Sequence, residues 1–102
     1  MTELLDPTDL KRLTPLYSTH SDPLGAQVIF RFFNTRTNDA WFITEFDGRD
    51  IMYGLRFTHE GDTQLGWFSY SELNNHPWIF NDGEWYPRTL DEILKLTFDT
   101  AT

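Results

Sequence analysis

A chain of 102 residues with no cysteine, sixteen acidic side chains and eight basic ones, net charge −8, excludes several classes at once. Its length holds one domain, taken as 1–102, and without cysteine no disulfide framework, thiolate metal site or cysteine nucleophile can be built. Two lysines and six scattered arginines give no basic track for a nucleic-acid backbone, which needs clustered cations; long-range attraction is toward basic partners instead. No segment reaches the ~18 apolar residues that suggest a membrane span. Met1–Asp9 has acids and no apolar run, unlike a secretory leader, so a cytoplasmic protein is expected.

Aromatic residues make up 17% of the chain, enough to fill a small core with few, large side chains. Asp6-Pro7-Thr8-Asp9 predicts a helix start, with Asp6 as cap and Pro7 in the first turn. Leu10 and Leu13 would share a face before Pro15 stops the helix. A polar loop, Ser18–Gly25, follows. From Ala26 the period becomes two: Val28, Phe30 and Phe32 alternate with Ile29, Arg31 and Phe33. Asn34–Asp39 reads as a connector and Ala40–Phe46 as a second strand, with Trp41, Ile43 and Glu45 on one face and Phe42, Thr44 and Phe46 on the other. Asp47-Gly48 is a turn.

Asp50–Thr58 is the third strand, with Ile51, Tyr53, Leu55 and Phe57 on its apolar face. After a Gly61-Asp62 turn, Gln64–Phe68 is the fourth. Ser69-Tyr70-Ser71-Glu72 fits a capping box opening a short helix to about Asn75. Trp78–Phe80 and Glu84–Tyr86 flank Asn81-Asp82-Gly83 as a small hairpin or ordered loop. Thr89–Glu92 is a second capping box, opening a helix with Leu90, Ile93 and Leu94 inward. The fold class expected is α+β: a four-stranded antiparallel meander from Ala26 to Phe68, with an N-terminal helix, a short helix after strand four and a C-terminal helix packed on one sheet face.

Several pieces between Leu13 and Leu73 form an ordered pattern: Pro15-Leu16-Tyr17, Phe32-Phe33, Trp41-Phe42-Ile43-Thr44-Glu45-Phe46-Asp47-Gly48, Tyr53-Gly54-Leu55, Leu65-Gly66-Trp67-Phe68-Ser69 and Glu72-Leu73. This pattern resembles the domain-of-unknown-function family 2958, small bacterial proteins often encoded on plasmids and other mobile elements. The resemblance implies no catalytic residues. It implies a genetic setting in which small acidic proteins blunt host defences, as anti-restriction and anti-CRISPR proteins do.

The chemistry-bearing residues point away from catalysis. Glu45, Asp47, Asp50, His59, Glu60 and Asp62 gather near turns, where oxygen-rich loops can hold a hard cation. Asp47-Gly48-Arg49-Asp50 departs from a calcium loop, however, and turn chemistry accounts for Asp47 and Asp62. His20, His59 and His76 are scattered without zinc spacing. Ser69 and Ser71 read as capping residues, and Arg31 or Arg56 is the expected partner of Glu45 across the sheet. No metal or cofactor and no enzyme activity are expected. From Phe57 to Pro87 five acids occur without a lysine or arginine, alongside surplus rings. The expectation is a protein-binding surface with Trp67, Trp78 and Trp85 as aromatic members and Glu72, Asp82 and Glu84 as a charged rim. Its partner would be a protein with a basic surface, including a nucleic-acid-binding host complex; direct contact with nucleic acid or membrane is not expected. The alternatives are that these rings pack the last helix onto the sheet, that the chain binds a small ligand or divalent metal, or that it is a structural subunit or a homodimer joined by sheet edges.

Overall fold

Two glycine turns shape the centre of the molecule. In the computed structural model, which describes residues 4–16, 23–58 and 60–100, Gly48 and Gly61 adopt φ of +88° and +92°. Glycine enters this region without a Cβ penalty. The first turn is fixed further by Asp47, whose Oδ1 accepts the backbone N–H groups of Arg49, Asp50 and Ile51 at 2.7, 2.7 and 3.0 Å. Between such turns run the strands β3 (Phe30–Asn34), β4 (Ala40–Phe46), β5 (Ile51–Phe57) and β6 (Thr63–Ser69), paired antiparallel in sequence order. This is the expected meander.

The architecture is α+β, a mainly antiparallel sheet with three short helices: α1 (Pro7–Leu10), α2 (Tyr70–Asn74) after β6, and α3 (Leu90–Thr100). A fifth strand, β7 (Ile79–Asn81), adds antiparallel to β3 and gives the order β6-β5-β4-β3-β7. The sequence predicted a local hairpin or loop there; the ladder formed by Asn34, Phe33 and Phe32 takes Ile79–Asn81 instead. Two further pairings lie outside the expectation. β1 (Thr14–Pro15) runs parallel to Glu45–Phe46 of β4, filling the edge left where β3 begins opposite Ile43, and the Thr14 hydroxyl donates to the Thr44 carbonyl at 2.8 Å. β2 (Gln27–Val28) pairs with β8 (Arg88–Thr89) in a separate two-stranded sheet.

β4 is buried along its whole length, because both faces of the sheet are covered. On one face lie Phe30, Phe32, Trp41, Ile43, Phe46 and Met52, under Leu5, Leu13, Tyr70 and Leu73 from the N-terminal segment and α2. The Tyr70 hydroxyl ties these two together, accepting from Leu5 N–H and donating to its carbonyl at 2.9 and 3.0 Å. On the other face Ala40, Phe42 and Leu55 meet Leu90 and Ile93, with Phe57, Trp85 and Leu94 packed around them. The last helix therefore seats Leu90, Ile93 and Leu94 as expected. Fully burying each such side chain contributes about 1.5–3 kcal/mol.

Three local expectations need correction. A bulge between Ile43 and Glu45 shifts the register of β4 on β5, so that Ile43 pairs with Gly54 but Glu45 with Tyr53. Beyond the bulge the alternation is inverted: Phe46, paired with Met52, joins the Trp41 and Ile43 layer, and Glu45 moves to the Phe42 side. Val28 likewise parts from Phe30 and Phe32, since the ladder breaks at Ile29; Val28 packs with Phe42 and Leu90 and the two phenylalanines pack on the opposite face. Finally, α1 ends at Leu10, leaving Leu13 to enter the core from the following turn. Its start is as expected, with Asp6 and Asp9 side chains each accepting from the other's backbone N–H.

Candidate partner-binding surface

Two of the carboxylates that the sequence brings near turns, Asp47 and Asp50, are committed to the fold. Asp47 serves the β4–β5 turn, and its backbone hydrogen bonds, those from Arg49 and Asp50 foremost, hold its carboxyl below the usual range. Asp50 reaches the start of α2: Ser69 Oγ donates to Oδ2 at 2.5 Å and Ser71 N–H to Oδ1 at 2.7 Å. The Ser69 hydroxyl, followed by the Ser71 amide, lowers its pKa as well. Ser69 also accepts from Glu72 N–H at 3.3 Å, so Asp50, Ser69 and Ser71 form one cap that fastens α2 to the β5 start. Thr89 similarly accepts from Glu92 N–H at 3.2 Å and caps α3. Glu45 is fully buried, while Arg31 and Arg56, its expected partners, bridge to Asp82 and Asp39 at 3.2 and 3.0 Å. Of the histidines, His20 and His59 lie outside the described residues. His76 is exposed, stacks edge-on against Trp78 at 5.6 Å and accepts Trp78 N–H at Nδ1. Among the described residues, no three His, Cys, Asp or Glu side chains come together as metal ligands would.

The six residues expected to form a binding surface occupy separate places. Trp67 is 53% exposed on β6, at one edge of the sheet. Glu72 is exposed on α2, which packs over the Trp41 face. Trp78, Asp82 and Glu84 surround β7 at the opposite edge. Four strand spacings of about 4.8 Å put the two edges roughly 19 Å apart. Trp85 turns inward, its indole N–H donating to the Val28 carbonyl at 3.1 Å and its ring 5.6 Å from that of Phe42. In this one case the rings do pack the last helix onto the sheet. Asp82 has internal work too, bridging Arg31 and accepting Glu84 N–H at 3.1 Å. The freely exposed acids of the set are Glu72 and Glu84.

Exposed rings and arginines form two clusters, Trp78, Phe80 and Arg36 at the β7 edge and Tyr86 with Arg88 at β8. Trp78, Phe80 and Tyr86 are 40%, 48% and 60% exposed. The Arg36 guanidinium lies 4.3 Å from the Trp78 ring centre, and that of Arg88 lies 4.2 Å from Tyr86, whose hydroxyl it also contacts. Phe80 leans on Phe33 at 6.2 Å. Sequence reading missed Phe80, Arg36 and Arg88 as members. The run from Phe57 to Pro87 lacks basic residues in sequence, but Arg31, Arg36 and Arg88 come to it from outside in space. The signal that could have found Phe80 is its place in a strand whose alternate residue, Ile79, is buried.

Concavities also lie elsewhere among the described residues. A cavity of about 160 Å³ lies between Trp41, Arg56 and the Gln64–Phe68 stretch of β6. A shallower groove of about 370 Å³ has Phe46, Tyr70, Pro7 and Leu10 as apolar walls and Lys11 and Arg49 at its rim. Comparison with known proteins gives no matching family model, no matching curated protein and no matching solved structure.

Proposed function

We propose that this chain is a noncatalytic acidic binding protein of a mobile genetic element, inhibiting a host-defence nucleoprotein or nuclease by protein–protein contact. The observation that carries the binding reading is the β7 edge, where Trp78 and Phe80 are exposed and Arg36 stacks on Trp78, with a second exposed stack of Tyr86 and Arg88 at β8. Exposed large rings with arginine are the residue types that dominate binding energy at protein interfaces. Stacking pre-orders the arginine side chains, which lowers the entropy lost on docking. Division of labour follows from the charge. The net −8 steers the molecule toward a basic partner, and the aromatic edge supplies the contact. The defence-inhibiting role extends this reading through the resemblance of Leu13–Leu73 to the mobile-element family.

The test is capture from a bacterial lysate with the immobilised chain at low and high salt, read by mass spectrometry. The wild type should retain a basic nucleoprotein or nuclease subunit at low salt and release it as salt screens the attraction. Trp78→Ala with Phe80→Ala should abolish retention without changing the circular dichroism spectrum. Glu84→Lys should weaken retention mainly through slower association. Retention of no basic protein, or of the same proteins by the folded double variant, would refute the proposal.

A further inference from the structure

The other edge of the sheet has a different character. β6 is seven residues long and, among the described residues, has a strand neighbour on one side only, β5. Its sequence, Thr-Gln-Leu-Gly-Trp-Phe-Ser, contains no charge and no proline, and its pairing with β5 runs from Thr63 to Ser69 without a bulge. Lysine, proline, bulges and shortness are the devices by which edge strands avoid pairing with other chains; β6 shows none of them. Leu65 and Trp67 project from the same face, 42% and 53% exposed. Between them Gly66 has open space where a side chain would stand.

We infer that β6 is a self-association edge: two copies pair their β6 strands antiparallel about a two-fold axis through Gly66, joining their six-stranded sheets into one continuous twelve-stranded sheet. The partner is identified by self-complementarity. With Gly66 opposite Gly66 of the second copy, Leu65 of each chain falls opposite Trp67 of the other. The four exposed apolar side chains then meet in one cross-strand cluster. Gln64 falls opposite Phe68, and Thr63 opposite Ser69. A net charge of −8 on each chain opposes association in general, and an uncharged strand is where that repulsion is least. An isologous edge of this kind closes on itself, so assembly stops at two. It also leaves the β7 edge free in each copy, so this inference stands or falls independently of the proposed partner.

The absence of native cysteine makes the axis directly testable. Directly opposed residues of an antiparallel pair have Cα atoms about 4.5–5.5 Å apart, within the roughly 4.4–6.8 Å that a disulfide spans. Gly66→Cys under mild oxidation should therefore give a covalent dimer in high yield. Gln64→Cys should not, because antiparallel offset separates the two copies of residue 64 by about 13 Å. Light scattering of the wild type from micromolar to millimolar concentration should show the mass rising toward twice 12.1 kDa. Leu65→Lys with Trp67→Lys should remain at the monomer mass with an unchanged circular dichroism spectrum. A wild type that stays monomeric throughout, a folded double-lysine variant that still dimerises, or equal cross-linking at positions 64 and 66 would overturn the inference.

Discussion

Replacing Trp85 and Trp78 separately by alanine distinguishes a ring that holds the fold from one that faces a partner. Trp85 fills the space between Phe42 and α3 and satisfies the Val28 carbonyl with its indole N–H. A fully buried Trp→Ala exchange costs about 3–5 kcal/mol. Trp85 is only partly buried, so roughly 2 kcal/mol is assigned to packing, to which loss of the hydrogen bond adds about 1 kcal/mol. The sum, about 3 kcal/mol, is a large share of the ~5–15 kcal/mol typical of a domain this size. It should lower the midpoint of thermal unfolding by about 12–24 °C. Trp78, at the surface with Arg36 over its ring and His76 edge-on to it, should cost no more than about 1 kcal/mol on removal. Urea unfolding followed by far-ultraviolet circular dichroism reads both without relying on tryptophan emission. Trp85→Phe should recover most of the packing and lose the hydrogen bond. A Trp85→Ala loss below about 1 kcal/mol, or a Trp78→Ala loss as large as that of Trp85→Ala, would refute the assignment of the two rings.

Gly54→Ala should destabilise by about 3 kcal/mol in the same assay, because a Cβ there would lie 1.9 Å from the Phe42 carbonyl oxygen in the neighbouring strand; near-wild-type stability would show that the two strands can separate at little cost. Asp47 and Asp50 have lowered folded-state pKa values, so their contribution is complete above the unfolded carboxylate range. It is lost as pH falls below about 4 through the depressed folded values. Asp50→Asn should reduce stability at neutral pH and flatten part of that acid slope; an unchanged slope would remove Asp50 from the account. Asn81 has a buried Oδ1 with no hydrogen-bond partner among the described residues, so Asn81→Val should raise stability by about 1 kcal/mol, measured as a higher urea midpoint.

The meander was legible because local chemistry and long-range pairing agree there. Alternating apolar residues set strands of period two, and the turns at Asp47-Gly48 and Gly61 carry the glycines that positive φ requires. The inward face of α3 was legible from the spacing of Leu90, Ile93 and Leu94. The bulge at Thr44 was not, since Ala40–Phe46 reads as unbroken alternation and only the pairing partners reveal the extra residue. Nor was β7: three residues after a proline carry little period of their own, and their strand conformation comes from the open edge of β3. The candidate site was half legible for the same reason. Surplus rings in Trp67–Tyr86 are visible in sequence, but which ring turns inward depends on whether the Val28 carbonyl stands beside it. The arginines that stack on Trp78 and Tyr86 arrive from Arg36 and Arg88, one of them more than forty positions away from its ring.

Hydrogen–deuterium exchange of the chain alone and in the salt-sensitive complex captured from lysate tests the central claim most directly. New protection concentrated in residues 76–86 and at Arg36, with the 47–50 turn and the Lys11–Arg49 groove unchanged, is the result predicted. Protection confined to that turn or groove, with 76–86 exchanging as in the free chain, would contradict it.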